Sequence, residues 1–228
     1  MPDTPAQPLT TPADIAADFA HVRTWVFDLD NTLYPPECRL FDLIEVRITA
    51  YVMRTLRIGQ DEADRLRSTY WARHGTTLAG LIREHGVDPD PYLADVHDIP
   101  LDRLTPDPRL AAAIAALPGR RIVYTNADTA YARRVLAARG LDGLFHGIYG
   151  IEHANYLPKP EQAAFEAVFA LAGLAGETAA MFEDDARNLE VPHALGLRTV
   201  HVAPARAPGD HVHHHTNDLA AFLTPLGR

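Results

Sequence analysis

After Pro106 the chain settles into a repeating order of strand, helix and strand, and this alternation limits the fold more than any other feature. Arg121–Thr125 reads as a strand, Thr129–Arg139 as a helix stopped by Gly140, and Leu144–Tyr149 as a second short strand. Glu161–Ala172 is amphipathic, with Phe165, Val168 and Phe169 on its inner face. Ala179–Glu183 then reads as a strand, Arg187–Leu195 as a helix and Arg198–Val202 as the last clear strand. A further apolar, β-rich run, Arg23–Leu29, precedes them all and suits a buried central strand. Such an order predicts an α/β fold, a Rossmann-like parallel sheet with helices on both faces. In open sheets of this kind ligands collect at the carboxyl ends of the strands.

Between Pro36 and Thr105 no strand pattern occurs. Phe41, Ile44, Ile48, Tyr51 and Val52 share one face at helical period, and helical pattern resumes over Gln60–His74 and Leu78–His85. Gly75, Gly86 and Pro89 punctuate these segments. The stretch is expected to be an all-helical insertion, giving three parts: a loose leader over 1–20, a core over 21–36 and 106–228, and a helical domain over 37–105. A short helix is expected to end the leader near Ile15–Phe19.

Four polar clusters fall at carboxyl ends of predicted strands or in the loops after them: Asp28-Leu29-Asp30-Asn31-Thr32, Thr125-Asn126, Lys159, and Glu183-Asp184-Asp185. Each alone has an ordinary explanation, since Asp, Thr and Asn commonly cap the helix that follows. Four of them on one edge of one sheet point instead to a shared site. Asp28 and Asp30 lie on the same side of an extended segment by period-2 geometry. Two neighbouring carboxylates can divide the work of nucleophile and general acid–base between them.

These clusters resemble the signature motifs of the haloacid dehalogenase superfamily: F-D-L-D-N-T-L (27–33), Y-T-N (124–126), K-P (159–160) and E-D-D-A-R-N (183–188). The resemblance runs from Trp25 to Val202 and implies that the insertion is a helical cap. D-L-D-N-T-L-Y-P, Y-W-A-R-H-G-T-T-L-A-G-L (70–81), V-H (96–97), L-P-G-R-R-I-V-Y-T-N-A-D (117–128) and F-H-G-I (145–148) are similar to the pyrimidine 5′-nucleotidase branch. The implied activity is Mg²⁺-dependent hydrolysis of a small phosphate monoester through an aspartyl-phosphate. Asp28 would be the nucleophile and Asp30 the acid and base. Thr125 and backbone N–H groups near Asn126 and Leu29 would bind phosphate, and Lys159 would restrain Asp28 and neutralise phosphoryl charge. The implied metal ligands are Asp28, the Asp30 carbonyl and Asp184, with Glu183 or Asp185 placed to meet the ion's waters; Asn188 stands where many members carry Asp. A phosphatase of a sugar phosphate or pyridoxal phosphate is the alternative reading. A phosphomutase or a non-catalytic binding module is a more distant one, since Asp28, Asp30, Thr125, Lys159 and Asp184 are all present.

Composition narrows the partners. A formal charge of −9 argues against a nucleic-acid polymer, which needs a basic footprint, but leaves a small phosphorylated metabolite open. No run of about 18 apolar residues is present, so no membrane-spanning helix is expected. The single Cys38 fits a reducing compartment, and with no secretory pattern at Met1–Phe19 the expectation is a cytoplasmic protein, monomeric or dimeric. Gly75-Thr76-Thr77, a loop between cap helices, is the candidate for substrate choice, whereas Tyr70, Trp71 and His74 on a helix read as packing. Trp25 and Cys38 likewise read as packing. The run His211, His213, His214 and His215 reads as a loop after the last strand, with Thr216-Asn217-Asp218 capping a final helix.

Overall fold

A computed structural model describes residues 11–227, so the first ten positions of the expected leader lie outside the described residues. Six strands, β1 (Thr24–Phe27), β2 (Arg120–Tyr124), β3 (Gly147–Tyr149), β4 (Ala179–Glu183), β5 (Arg198–Val202) and β6 (His214–Thr216), form one sheet in the order β3-β2-β1-β4-β5-β6. Every neighbouring pair is parallel. The helices are α1 (Pro12–Asp18), α2 (Leu40–Leu56), α3 (Gln60–His74), α4 (Thr77–His85), α5 (Pro89–Val96), α6 (Pro108–Ala116), α7 (Thr129–Ala138), α8 (Gln162–Ala172), α9 (Glu190–Ala194) and α10 (Leu219–Leu223). The α/β class and the helical insertion are as the pattern predicts.

All residues of β1 and β4 are buried because both faces of the sheet are covered. Successive side chains enter opposite layers: Trp25 and Phe27 join one core cluster with Ala180 and Phe182, while Val26 joins the other with Ile122 and Met181. The register sets Phe27 beside Phe182, and their rings stack with centroids 4.8 Å apart. Trp25 packs as expected, its indole N–H donating to the Pro118 carbonyl at 2.6 Å. This order seats β1 between β2 and β4, so the carboxyl ends of the three central strands open side by side. Strands are added on one side of β1 and then on the other, a switch point where a ligand crevice is expected.

Helices α2–α5 contribute to a separate apolar cluster built on Tyr51, Val52, Tyr70, Leu81 and Leu93, to which the core lends Ile151. Gly75, at φ +81°, ends α3, and Thr76 caps α4 by accepting from the Ala79 N–H at 3.1 Å. One member of the predicted α2 stripe departs from it: Phe41 is 46% exposed, whereas its neighbour Leu40 is buried in the core.

Three other expectations change in detail. Helix α1 starts at Pro12 rather than near Ile15, fixed by a capping box between Thr11 and Asp14. The helix expected over 187–195 splits into a 3-10 turn, Ala186–Leu189, and the short α9, where Pro192 falls early enough to cost no helical hydrogen bond. The histidine run is not simply a loop, since His214 and His215 belong to β6, paired in parallel with β5. Its polar composition hides a strand that is three residues long and lies at the sheet edge. Asp218 does cap the last helix, accepting from the Ala221 N–H. Among the described residues no helix is long and apolar enough to cross a membrane.

The α3–α4 contact yields a test. A Cβ added at Gly80 would sit 2.2 Å from Cγ of Tyr70, whose ring is buried and tied through its hydroxyl to His85. Alanine normally gains about 1 kcal/mol over glycine within a helix. Here Gly80→Ala is expected to destabilise by roughly 1–3 kcal/mol through overpacking. Thermal unfolding followed by circular dichroism checks it; an unchanged or higher Tm means that the ring moves aside freely.

Candidate active site

At the end of β1 the Asp28 N–H still pairs with the Phe182 carbonyl at 2.9 Å, so the side chain starts from a fixed backbone. The chain then turns through Asn31 at φ +59°, and Thr32 donates its hydroxyl to Asp28 Oδ2 at 3.0 Å. Lys159 arrives from a loop 131 positions away and donates to Asp28 Oδ1 at 2.6 Å. Its ammonium also donates to Glu183 Oε1 at 2.7 Å and to the Tyr124 carbonyl at 3.2 Å. All three donors of the lysine are thereby used. The Asn126 side chain holds this loop, accepting from the Lys159 N–H at 2.8 Å and donating to the Lys159 carbonyl at 3.3 Å. Its amide is thereby committed to the loop. Thr125 is buried; its hydroxyl oxygen accepts from the Ala127 N–H at 3.0 Å, so the O–H remains available to donate.

The acidic cluster divides its tasks. Glu183 is 1% exposed and spends its oxygens on Lys159, the Asn188 amide at 2.7 Å and the Asp185 N–H at 3.0 Å. Asp185 points to Arg187, with a shortest contact of 2.6 Å. Asp184 accepts from Asn31 Nδ2 at 3.2 Å, and its carbonyl bonds His201 Nε2 at 2.9 Å. Carboxylate oxygens of Asp28, Glu183 and Asp184 all lie within 4.8 Å of one another. Burial and the neighbouring Glu183 push Asp28 up to about 7, against the pull of Lys159. Burial, Glu183 and Asp28 push Asp184 up to about 9. Glu183 stays below its ordinary value; burial, the largest single effect, works against this, but Lys159 and the hydrogen bonds with Asp184 and the Asp185 N–H together outweigh it. Three carboxylates thus share one ammonium, and hard oxygen donors carrying uncompensated charge fit a hard divalent cation.

Asp30, two residues beyond Asp28, accepts from Tyr34 at 2.6 Å and from Tyr131 at 3.2 Å, both through Oδ1. Burial raises its carboxyl above the usual range, while Tyr34, His97 and Tyr131 pull it back. Asp28, Asp30 and Asp184 line a cleft of about 870 Å³ that Gly75, Thr76 and Thr77 also line. The structure therefore brings Asp28, Asp30, Thr125, Asn126, Lys159, Asp184 and the cap loop to one cavity.

Some residues were not anticipated here. Trp71 is 53% exposed and lines the cleft rather than packing, with the Arg187 guanidinium 4.5 Å from its ring centroid. Exposed Phe41 joins it. Tyr70 does pack, and His74 pairs with Glu84. Nothing in helical period marks a residue that overhangs a cleft, because the cleft exists only once cap and sheet meet. Tyr34 was visible in D-L-D-N-T-L-Y-P, whereas Tyr131 looks like any inward residue of α7. The histidines near β6 do not assemble as ligands among the described residues: His213 bonds Thr199, His214 bonds Asp18 and His215 bonds the Ala203 carbonyl.

Comparison with known proteins agrees with this layout. The family described as haloacid dehalogenase-like hydrolase matches residues 22–196. Phosphate metabolism protein 8 of Saccharomyces cerevisiae is 28% identical over 195 residues, covering 79% of this chain and 60% of the yeast protein. The chain thus spans about three fifths of the length of that curated relative. Among solved structures, a HAD phosphatase from Thermococcus onnurineus aligns with a TM-score of 0.60 at 18% identity, covering 87% of this chain and 94% of that one. CbbY from Rhodobacter sphaeroides in complex with phosphate gives 0.58 at 19%, covering 89% and 99%. The HAD-hydrolase YfnB from Bacillus subtilis bound to magnesium gives 0.56 at 17%, covering 90% and 98%. At these identities the likeness is one of fold.

The electrostatics predict how stability varies with pH. A carboxyl raised on folding stabilises the protein below its unfolded value and loses that contribution as pH climbs through the folded one. Between pH 7 and 9 the contribution of Asp184, raised to about 9, is being lost, while His213, lowered to about 4, is already neutral in the fold and keeps only a minor protonated fraction in the unfolded chain. In chelator, Tm is therefore expected to fall across that window, and Asp184→Asn is expected to flatten the slope. Differential scanning calorimetry at fixed ionic strength checks both; equal slopes in the two proteins would refute the charge crowding.

Proposed function

The chain belongs to the haloacid dehalogenase-like hydrolase family, and from that premise we propose that it is a Mg²⁺-dependent phosphatase of small phosphate monoesters. The observation that carries this reading is the buried contact of 2.6 Å between Lys159 and Asp28, beside Asp184 on the floor of the cleft. A lysine placed there cannot serve as surface charge. It leaves Asp28 oriented but only partly neutralised, which suits a carboxylate that must attack phosphorus.

In the proposed reaction a carboxylate oxygen of Asp28 attacks phosphorus as the bond to the leaving oxygen breaks. Asp30, protonated at the start, gives its proton to that oxygen. The phosphoryl group then rests on Asp28. Asp30, now ionised, takes a proton from water as the water attacks phosphorus; the bond to Asp28 breaks, and inorganic phosphate and the free aspartate result. The raised carboxyl of Asp30 supports the first role, because a proton must be present to be given. Thr125 donates its free O–H to a phosphoryl oxygen, and Lys159 offsets charge on the equatorial oxygens. Asp28, the Asp30 carbonyl and Asp184 would hold Mg²⁺, which would supply the positive charge that lets two carboxylates and a phosphate dianion approach. Asp185 lines the same cleft with its carboxylate paired to Arg187, and we assign it to the ion's waters.

For the substrate we favour a pyrimidine 5′-nucleotide. The sequence stretches shared with that branch support this, as do the exposed rings of Phe41 and Trp71, which offer stacking faces beside the Gly75-Thr76-Thr77 loop. We assign residues 37–105 to the cap that shapes this choice, and 21–36 with 106–228 to the core that performs the chemistry.

Asp28→Asn is expected to lower Mg²⁺-dependent phosphate release from p-nitrophenyl phosphate by about 10⁴-fold or more, with the circular dichroism spectrum unchanged. Retained turnover would remove Asp28 as nucleophile. Ranking nucleoside monophosphates, sugar phosphates and pyridoxal phosphate by kcat/KM tests the substrate. Trp71→Ala is expected to lower kcat/KM for the best nucleotide by about tenfold while leaving p-nitrophenyl phosphate within about twofold, a loss of roughly one stacking contact. An equal loss on both substrates would argue against base stacking.

A further inference from the structure

Tyr34 and Tyr131 are each 1% exposed, and both hydroxyls end on the same oxygen, Oδ1 of Asp30, at 2.6 and 3.2 Å. They come from different elements: Tyr34 from the turn after β1, Tyr131 from the first turn of α7. Both are held. The carbonyl of Leu33, beside Tyr34, accepts from Arg139 Nε at 3.2 Å. The Tyr131 N–H donates to Asp128 Oδ1 at 2.8 Å, and its ring stacks on His97 with centroids 4.5 Å apart and planes 18° apart. His97 in turn bonds the other Asp128 oxygen at 2.5 Å. One carboxylate therefore fixes Tyr131 through its backbone and through the face of its ring.

Two phenol O–H groups aimed at one carboxyl oxygen require that oxygen to accept. A protonated Oδ1 would confront both donors with a third hydrogen, so the proton of the acid form must sit on Oδ2. A phenol ordinarily ionises at about pH 10, so both hydroxyls remain donors and do not compete for that proton. Neither tyrosine is needed to fill an apolar void, since a phenylalanine would pack the same ring. What the hydroxyls add is a choice between two otherwise equivalent oxygens.

We infer that Tyr34 and Tyr131 are positioning residues that reserve Oδ1 of Asp30 as an acceptor and make Oδ2 the atom that gives its proton to the leaving oxygen and takes one from water. The inference rests on the acid–base role proposed for Asp30. Its consequence depends on the leaving group. An alkoxide needs that proton as the ester bond breaks, whereas p-nitrophenolate leaves without it.

The test measures the first turnover, by quenched flow, of p-nitrophenyl phosphate and of whichever primary-alcohol phosphate in the panel above is fastest, for wild type, Tyr131→Phe, Tyr34→Phe and Asp30→Asn. In both tyrosine variants the alkyl rate is expected to fall by about tenfold or more, with the aryl rate within about threefold, a part of the 10²–10⁴ that general acid catalysis supplies. Equal loss on both substrates would make the tyrosines merely structural and overturn the inference. If Asp30→Asn abolishes selective use of the alkyl ester while the tyrosine variants keep the wild-type ratio, the inference fails and the role of Asp30 stands. An unchanged ratio in Asp30→Asn sinks that role and the inference with it. Tyr131→Phe alone decides the matter if Tyr34→Phe does not fold.

Discussion

The ammonium of Lys159, closed in between Asp28 and Glu183, is the interaction on which the rest of the site depends. A charge buried without a partner would cost several kcal/mol, and so would either carboxylate left beside the other. The triad is tolerable because each member is satisfied: the lysine by three acceptors, Glu183 by three donors, Asp28 by Lys159 and Thr32. That balance also sets what is missing. With Asp184 added to the cluster, carboxyl groups outnumber the one ammonium, an arrangement that fits a cation.

The sheet makes this meeting inevitable. β1 sits between β2 and β4, so Asp28, Thr125 and Glu183 end three adjacent parallel strands and must open on the same edge. Stacked aromatic rings below, Phe27 on Phe182 and Trp25 nearby, fix the relative height of β1 and β4. A packed interior permits little sliding. The precision of the site is therefore inherited from apolar residues that never touch it.

Much of this could be read from the chain. Strands that run continuously apolar and stop at acidic or hydroxyl residues announce both the parallel sheet and the edge that carries chemistry. β4 and β5 fall where the pattern put them, because a strand buried on both faces leaves a plain signature. β6 does not, since His214 and His215 belong to a three-residue edge strand whose identity comes from pairing with β5 alone. Phe41 and Trp71 were misplaced for a different reason: an amphipathic stripe records which residues are apolar, not where the neighbouring surface ends. The paired donors on Asp30 were beyond reach as well, because Tyr34 and Tyr131 lie 97 positions apart and only the tertiary structure brings their hydroxyls together.

Arg187 lies four residues past Glu183, is tethered by Asp185, and has its guanidinium beneath Trp71 of the cap. One short loop thus meets Lys159 at one end and the roof of the cavity at the other. The roof helices fold around their own apolar cluster, so their inner surface can be remodelled residue by residue while the strand ends stay as they are. What the strand ends carry and what the roof presents become separable inheritances, joined at a stacked cation.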